Sequence, residues 1–131
     1  MTPRLNPFQV ARKEMGAWLT YSLGAAAGLD PALAHLVKIR ASILNGCANC
    51  INMHTQEARK DGETEQRLYL LAAWAEAPVY SDRERAALAW TDALTLVAMR
   101  GAPDEATHEA LDEGLGEGGA QRLRADLLAL T

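Results

Sequence analysis

The sequence is poor in cysteine, with two among 131 residues, and it holds one phenylalanine, five prolines and ten glycines. Two cysteines are too few for a disulfide-stapled secreted scaffold. The proline and glycine content excludes collagen-like repeats and a flexible linker protein. No apolar run approaches the roughly 20 residues that span a bilayer, and the most apolar stretch, around Leu70 to Ala75, is far shorter. Basic residues are not in excess: 13 stand against 17 acidic ones, for a net charge of -4. No basic patch dominates, so neither nucleic acid nor an anionic membrane is expected as a partner. Alternating runs long enough for a strand are missing too. Met1 to Phe8 is polar, carries two prolines and lacks an apolar signal-peptide core, so a soluble, cytoplasmic protein is expected.

What remains is a helix-forming composition. The chain is 49% hydrophobic, which excludes a disordered protein, and its length fits one domain over residues 1–131. Asn6-Pro7 and Asp30-Pro31 both read as an N-cap followed by proline in the first turn. The first predicted helix carries Phe8, Ala11, Met15, Trp18 and Ser22 on one stripe and ends near Gly28. The second places Leu33, Leu36, Val37, Arg40, Ile43 and Leu44 on one face and stops at Asn45-Gly46. A third runs from about Cys47 to Lys60. A fourth, from about Glu65 to Ala77, turns Leu68, Leu71, Ala72 and Ala75 inward and stops at Pro78. Ser81-Asp82-Arg83-Glu84 has capping-box spacing and opens the fifth and longest helix, which ends at Gly101. After Pro103 a helix over Glu105 to Glu113, a break across Gly114 to Gly119 and a last helix from Ala120 to Leu130 are expected. The fold class is therefore all-α, a single-domain bundle of antiparallel helix pairs.

The sharpest chemical signal is Cys47-x-x-Cys50-x-x-x-His54. Cys47, Cys50, Ile51, His54 and Ala58 share one helical face, so the two sulfurs lie on adjacent turns within reach of a disulfide. His54, four residues after Cys50, is placed to take the Cys50 proton or, once protonated, to stabilise a thiolate. Gly46 puts the pair at a helix N-terminus, where free N–H groups and the dipole also favour the thiolate. A thiolate there suits peroxide reduction or disulfide exchange. The competing readings are two core cysteines, or zinc on Cys47, Cys50 and His54. Zinc needs a fourth ligand or a water, and no other Cys or Cys/His pair occurs, so neither a metal nor a cofactor is expected. Haem attachment would need His at Ile51. His35, on the preceding helix, is either a surface or interhelical residue or a neighbour of the cysteine face. Glu57 is the acid placed to tune His54. His108, among acidic residues, reads as a solvated side chain, and the three tryptophans as packing residues.

Through these residues the chain resembles the carboxymuconolactone decarboxylase and alkylhydroperoxidase-D-like superfamily, most closely its peroxidase-related subgroup. The likeness covers Leu36 to His54, with its Asn-Gly-Cys-x-x-Cys-x-x-x-His core, then Glu57 to Gly62, Pro78 to Ala86 and the fifth helix to about Pro103. The resemblance implies an all-helical protomer assembled into trimers or hexamers. It implies a thiol peroxidase in which Cys50 attacks an organic hydroperoxide or hydrogen peroxide, Cys47 resolves the sulfenic acid and His54 relays protons. A dithiol or a lipoyl-bearing protein, with a peroxiredoxin as a further partner, would supply the electrons. The chain departs from the family twice. The relay glutamate twelve residues before the first cysteine is His35 here, which becomes a fourth candidate site residue. The Asn-x-Trp-Asn-Arg segment of the family's closing helix does not occur in the sequence, whose tail reads here as truncated or altered. The rival functions are a decarboxylase-like lactone enzyme and a redox-sensing or binding protein whose disulfide switches its assembly.

Overall fold

The structure, a computed structural model, describes residues 6–26 and 28–130; the polar start of the chain, up to residue 5, lies outside them. The protein is all-α, with no strand among the described residues. The elements are α1 (Pro7–Val10), α2 (Arg12–Ala26), α3 (Pro31–Leu44), α4 (Ala48–Lys60), α5 (Glu65–Leu70), a 3-10 turn (Leu71–Ala73), α6 (Asp82–Thr95), α7 (Val97–Arg100) and α8 (Glu105–Leu130).

The predicted starts hold because each has a side chain to take a free backbone N–H. Asn6 accepts from Phe8 N at 3.1 Å and Asp30 from Ala32 N at 3.0 Å, each followed by proline. Ser81 and Glu84 close a reciprocal capping box on α6.

α3 is the centre of the fold. The sequence pattern places one face of it in the core, but Leu33, Ala34, Leu36, Val37, Ile39, Ala41 and Ser42 are all buried. Leu33, Ala34 and Val37 pack with Ala87, Trp90, Leu111, Leu123 and Leu127. Leu36 and Ile39 pack on the other side with Ala58, Leu68, Leu71, Tyr80 and Leu88. Two apolar clusters thus flank one helix, and α6 contributes to both.

Several boundaries differ from the sequence pattern. The first helix is interrupted at Ala11, and none of the described residues of α1 and α2 is buried. The fourth helix stops at Leu70, and Ala72 and Ala75 are exposed rather than inward. The reason is competition for carbonyls. Arg40 donates to the carbonyls of Leu71 and Ala72 at 3.4 and 3.0 Å. Arg85 donates to those of Trp74, Ala75 and Ala77 at 3.2, 2.6 and 2.9 Å. Carbonyls captured by guanidinium groups leave a helix interior little to gain. Arg40 also grips Asp92 of α6 through two bonds of 2.6 and 2.8 Å, and the Trp74 indole N–H donates to the same carboxylate at 3.2 Å.

The fifth helix is not the longest, since it breaks at Leu96 into α6 and α7 before ending at Gly101 as expected. In α8 the glycine run interrupts the helix at one residue, Gly116, whose φ of 69° and ψ of 161° an L side chain resists. Arg124 reaches Asp112 at 3.1 Å, twelve residues away, whereas a straight helix would hold them about 18 Å apart along its axis. The second half therefore turns back toward the first. His108, expected to be solvated, meets Trp90 edge-on with ring centroids 4.7 Å apart, and Arg124 lies over the same indole. Of the tryptophans, Trp90 is buried in the core, Trp74 is half-buried and Trp18 is exposed.

Two predictions follow from these ties. Asp92→Asn leaves the partly buried Arg40 guanidinium without its counter-charge, and should cost about 3 kcal/mol, the low end for a buried pair losing one member. A urea midpoint unchanged from wild type would contradict the tie between α3 and α6. The second concerns Glu84. Burial alone would raise its carboxyl, but hydrogen bonds from Arg67 and Ser81 outweigh that and hold it below the usual carboxylate range. Its contribution to stability is complete above its unfolded pKa of about 4.3 and is lost as pH falls through the lower folded value. Between pH 7 and pH 3 wild type should lose more stability than Glu84→Gln; parallel losses would show that the Arg67–Glu84 pair carries no such linkage.

Candidate functional site

The cysteines sit where α3 hands over to α4. Asn45-Gly46 ends α3, with Gly46 at a φ of 62° and the Cys47 N–H donating back to Ser42 O at 3.0 Å. This turn presents Cys47 as the N-cap of α4, its sulfur accepting the Cys50 N–H at 3.3 Å. Cys47 and Cys50 are joined in a disulfide, with Cα atoms 5.4 Å apart. Both are partly exposed.

His54 stands on the same face, one turn beyond Cys50. Its side chain is only 13% exposed, and Nδ1 lies 3.0 Å from Glu57 Oε2. A carboxylate accepts and does not donate, so Nδ1 is the nitrogen that donates to Glu57, and Nε2 is the one left outside that bond. Glu57 thereby sets the tautomer and orientation of the ring, the role the sequence suggested for it.

His35 is held elsewhere on the α3–α4 seam. Its ring, 15% exposed, pairs through Nε2 with Asp61 Oδ2 at 2.8 Å, and Asp61 caps the far end of α4. No hydrogen bond joins it to either cysteine among the described residues. It lines a hollow of about 360 Å³ with Ala58, Asp61, Glu63, Arg67 and Glu84. Ala58 is one turn beyond His54, so the two histidines occupy successive levels of one seam. Asp61 was legible in the sequence only as a helix end; nothing in the local pattern marks a partner 26 residues away. A second hollow, of about 290 Å³, opens on the other flank of α4 and is walled by Ile39, Ile43, Ile51 and Leu68. Among the described residues no three His, Cys, Asp or Glu side chains converge as metal ligands. Nor is any helix of the described residues long and apolar enough to cross a membrane.

A model of the carboxymuconolactone decarboxylase family matches residues 13–93, which include the cysteine pair, both seam histidines and Asp92. The chain belongs to that family. It is 40% identical over 109 residues to the uncharacterized protein YdfG of Bacillus subtilis, covering 82% of this chain and 74% of that one. It is 28% identical over 68 residues to the uncharacterized protein YnjA of Escherichia coli, covering 52% of this chain and 37% of that one. A crystal structure of a protein of unknown function from Agrobacterium tumefaciens superposes with a TM-score of 0.92 at 35% identity, covering 98% of this chain and 88% of the other. That neighbour carries a provisional designation as the antioxidant defence protein AhpD. An AhpD-like all-helical fold and membership of the family are thus established for this chain.

Proposed function

We propose that this family member is a thiol-dependent hydroperoxide reductase, acting as a single domain in the cytoplasm and cycling between a dithiol and the Cys47–Cys50 disulfide. The observation that carries this reading is the disulfide itself, set at a helix start with a carboxylate-oriented histidine one turn further along the same face. The antioxidant designation of the Agrobacterium neighbour supports it.

In the oxidative half, the Cys50 thiolate attacks the outer peroxide oxygen. The O–O bond breaks, the sulfur becomes a sulfenic acid, and the departing alkoxide takes a proton. A protonated His54 is the donor, with Glu57 stabilising the imidazolium that forms when the ring takes the Cys50 proton. Cys47 then attacks the sulfenic sulfur and water leaves. A dithiol or lipoyl-type donor returns two electrons. His35, tied to Asp61, acts one level along the seam as an auxiliary base rather than as a partner of the sulfurs. Exposed apolar side chains, among them Phe8, Val10, Leu23 and Met99, favour assembly into a homo-oligomer, a trimer or hexamer as in the family.

The decisive measurement is peroxide turnover with a dithiol donor beside thiol counting. Wild type should lose two thiols together on mild oxidation, recover both with dithiol, and turn over an organic hydroperoxide, while Cys50→Ser should not. Loss of a single thiol, or reversible oxidation without turnover, removes the peroxidase reading; the second result favours a redox sensor. His54→Ala should slow turnover roughly 10²-fold or more, as expected for a lost acid-base group, and His35→Ala should slow it less. Equal effects would place both histidines at the sulfurs.

A further inference from the structure

Cys47 and Cys50 are equivalent in the motif but not in the fold. Cys47 is the N-cap, in extended backbone with φ −86° and ψ 92°, and its sulfur accepts the Cys50 N–H at 3.3 Å. Cys50 lies within the first turn and supplies that donor; among the described residues no backbone N–H donates to its own sulfur. A hydrogen bond from a backbone amide strengthens when the acceptor is ionised. The partial positive charge of a helix N-terminus acts in the same direction on a sulfur at the cap.

The charged groups of the two helices that meet at Cys47 are mostly paired with other side chains. On α3, which packs against α4, the titratable groups are His35, Lys38 and Arg40. His35 is engaged with Asp61 and Arg40 with Asp92. All three precede Ser42, the α3 residue whose carbonyl meets Cys47, by two to seven positions. On α4 the charged groups are His54 and Glu57, paired with each other, and Arg59 and Lys60 in the last turn, more than three turns from Cys47, with Arg59 paired to Glu65.

We infer that Cys47 is the sulfur held as thiolate in the reduced protein, and hence the leaving group when a donor thiol opens the disulfide at Cys50. The donor thiolate attacks Cys50 Sγ, the S–S bond breaks, and its electron pair goes to Cys47 Sγ as the donor becomes bound to Cys50. A second donor thiol then displaces Cys50, which takes up a proton, and the donor departs as its own disulfide. Two electrons have passed to the protein. If the peroxidase reading holds, on which this last step rests, the same thiolate attacks the sulfenic acid of Cys50: an S–S bond forms, the S–O bond breaks, and hydroxide leaves to be protonated to water. One amide thus assists both halves of the cycle.

The test is the ultraviolet absorbance of the thiolate against pH in two reduced variants. Cys50→Ser keeps the cap sulfur and the donating amide; Cys47→Ser keeps Cys50 beneath a capping hydroxyl. The midpoint in Cys50→Ser should lie about one pH unit or more below that in Cys47→Ser. Equal midpoints, or the reverse order, overturn the inference. Should either variant's circular dichroism depart from wild type, reduced wild type treated with limiting iodoacetamide and mapped by peptide mass decides. Label should appear first on Cys47, and label first on Cys50 overturns the assignment. Peroxide turnover separates the two proposals. Turnover with the order reversed sinks the thiolate assignment alone, whereas Cys47 first without turnover sinks the peroxidase reading and its resolving step alone.

Discussion

Burial of α3 on two opposite sides is the constraint from which the rest of the structure follows. A helix that is apolar over most of its circumference must be covered from both directions. α6 and the two halves of α8 cover one side, while α4, α5 and the following turn cover the other. The position of the disulfide is a consequence: it lies at the one end of α3 where the chain reverses directly into α4, so a rigid, buried helix fixes the base of the site. Exposed elements such as α1 and α2 are peripheral to this arrangement.

Arginine does the work of tying the irregular part of the chain. Between Leu71 and Ala77 the backbone carbonyls are taken by Arg40 from α3 and Arg85 from α6. Each guanidinium has five donors in a fixed plane, so one side chain can satisfy several carbonyls that a helix would otherwise have paired. Arg67 acts alike nearby, binding Glu63, Glu84 and the Val79 carbonyl while its own carbonyl accepts from Tyr80. Burial alone would lower the basicity of the Arg67 guanidinium, but the two carboxylates outweigh it and raise its pKa. Burial of the Tyr80 phenol raises its pKa.

The candidate site combines two kinds of order. The cap geometry is local and follows from the Asn-Gly turn and the helix that starts behind it. The histidine–carboxylate pairs differ in reach. His54–Glu57 is a contact between residues three apart on one helix, whereas His35–Asp61 joins two helices across the seam. A carboxylate on one ring nitrogen leaves the other nitrogen with a defined role, which makes both rings chemically specific rather than merely polar.

The helical class, the caps at Asn6, Asp30 and Ser81, and the shared face of Cys50 and His54 were determined by the sequence itself, because each depends on residues within a turn or two of one another; Cys47, expected on that face, instead caps the helix from just outside it. The Glu57 contact belongs with them. The early end of the fourth helix, the edge-on packing of His108 against Trp90, and the pairing of His35 with Asp61 were decided only by the tertiary structure. Each depends on a side chain brought from another element: guanidinium groups from α3 and α6, an indole from α6, a carboxylate from the far end of α4. The glycine run shows both levels at once. Its composition marks a break, but the break fell at Gly116 alone, while neighbouring glycines stayed helical. Ala120, Leu123 and Leu127 could reach the Trp90 cluster only if the chain turned at that point.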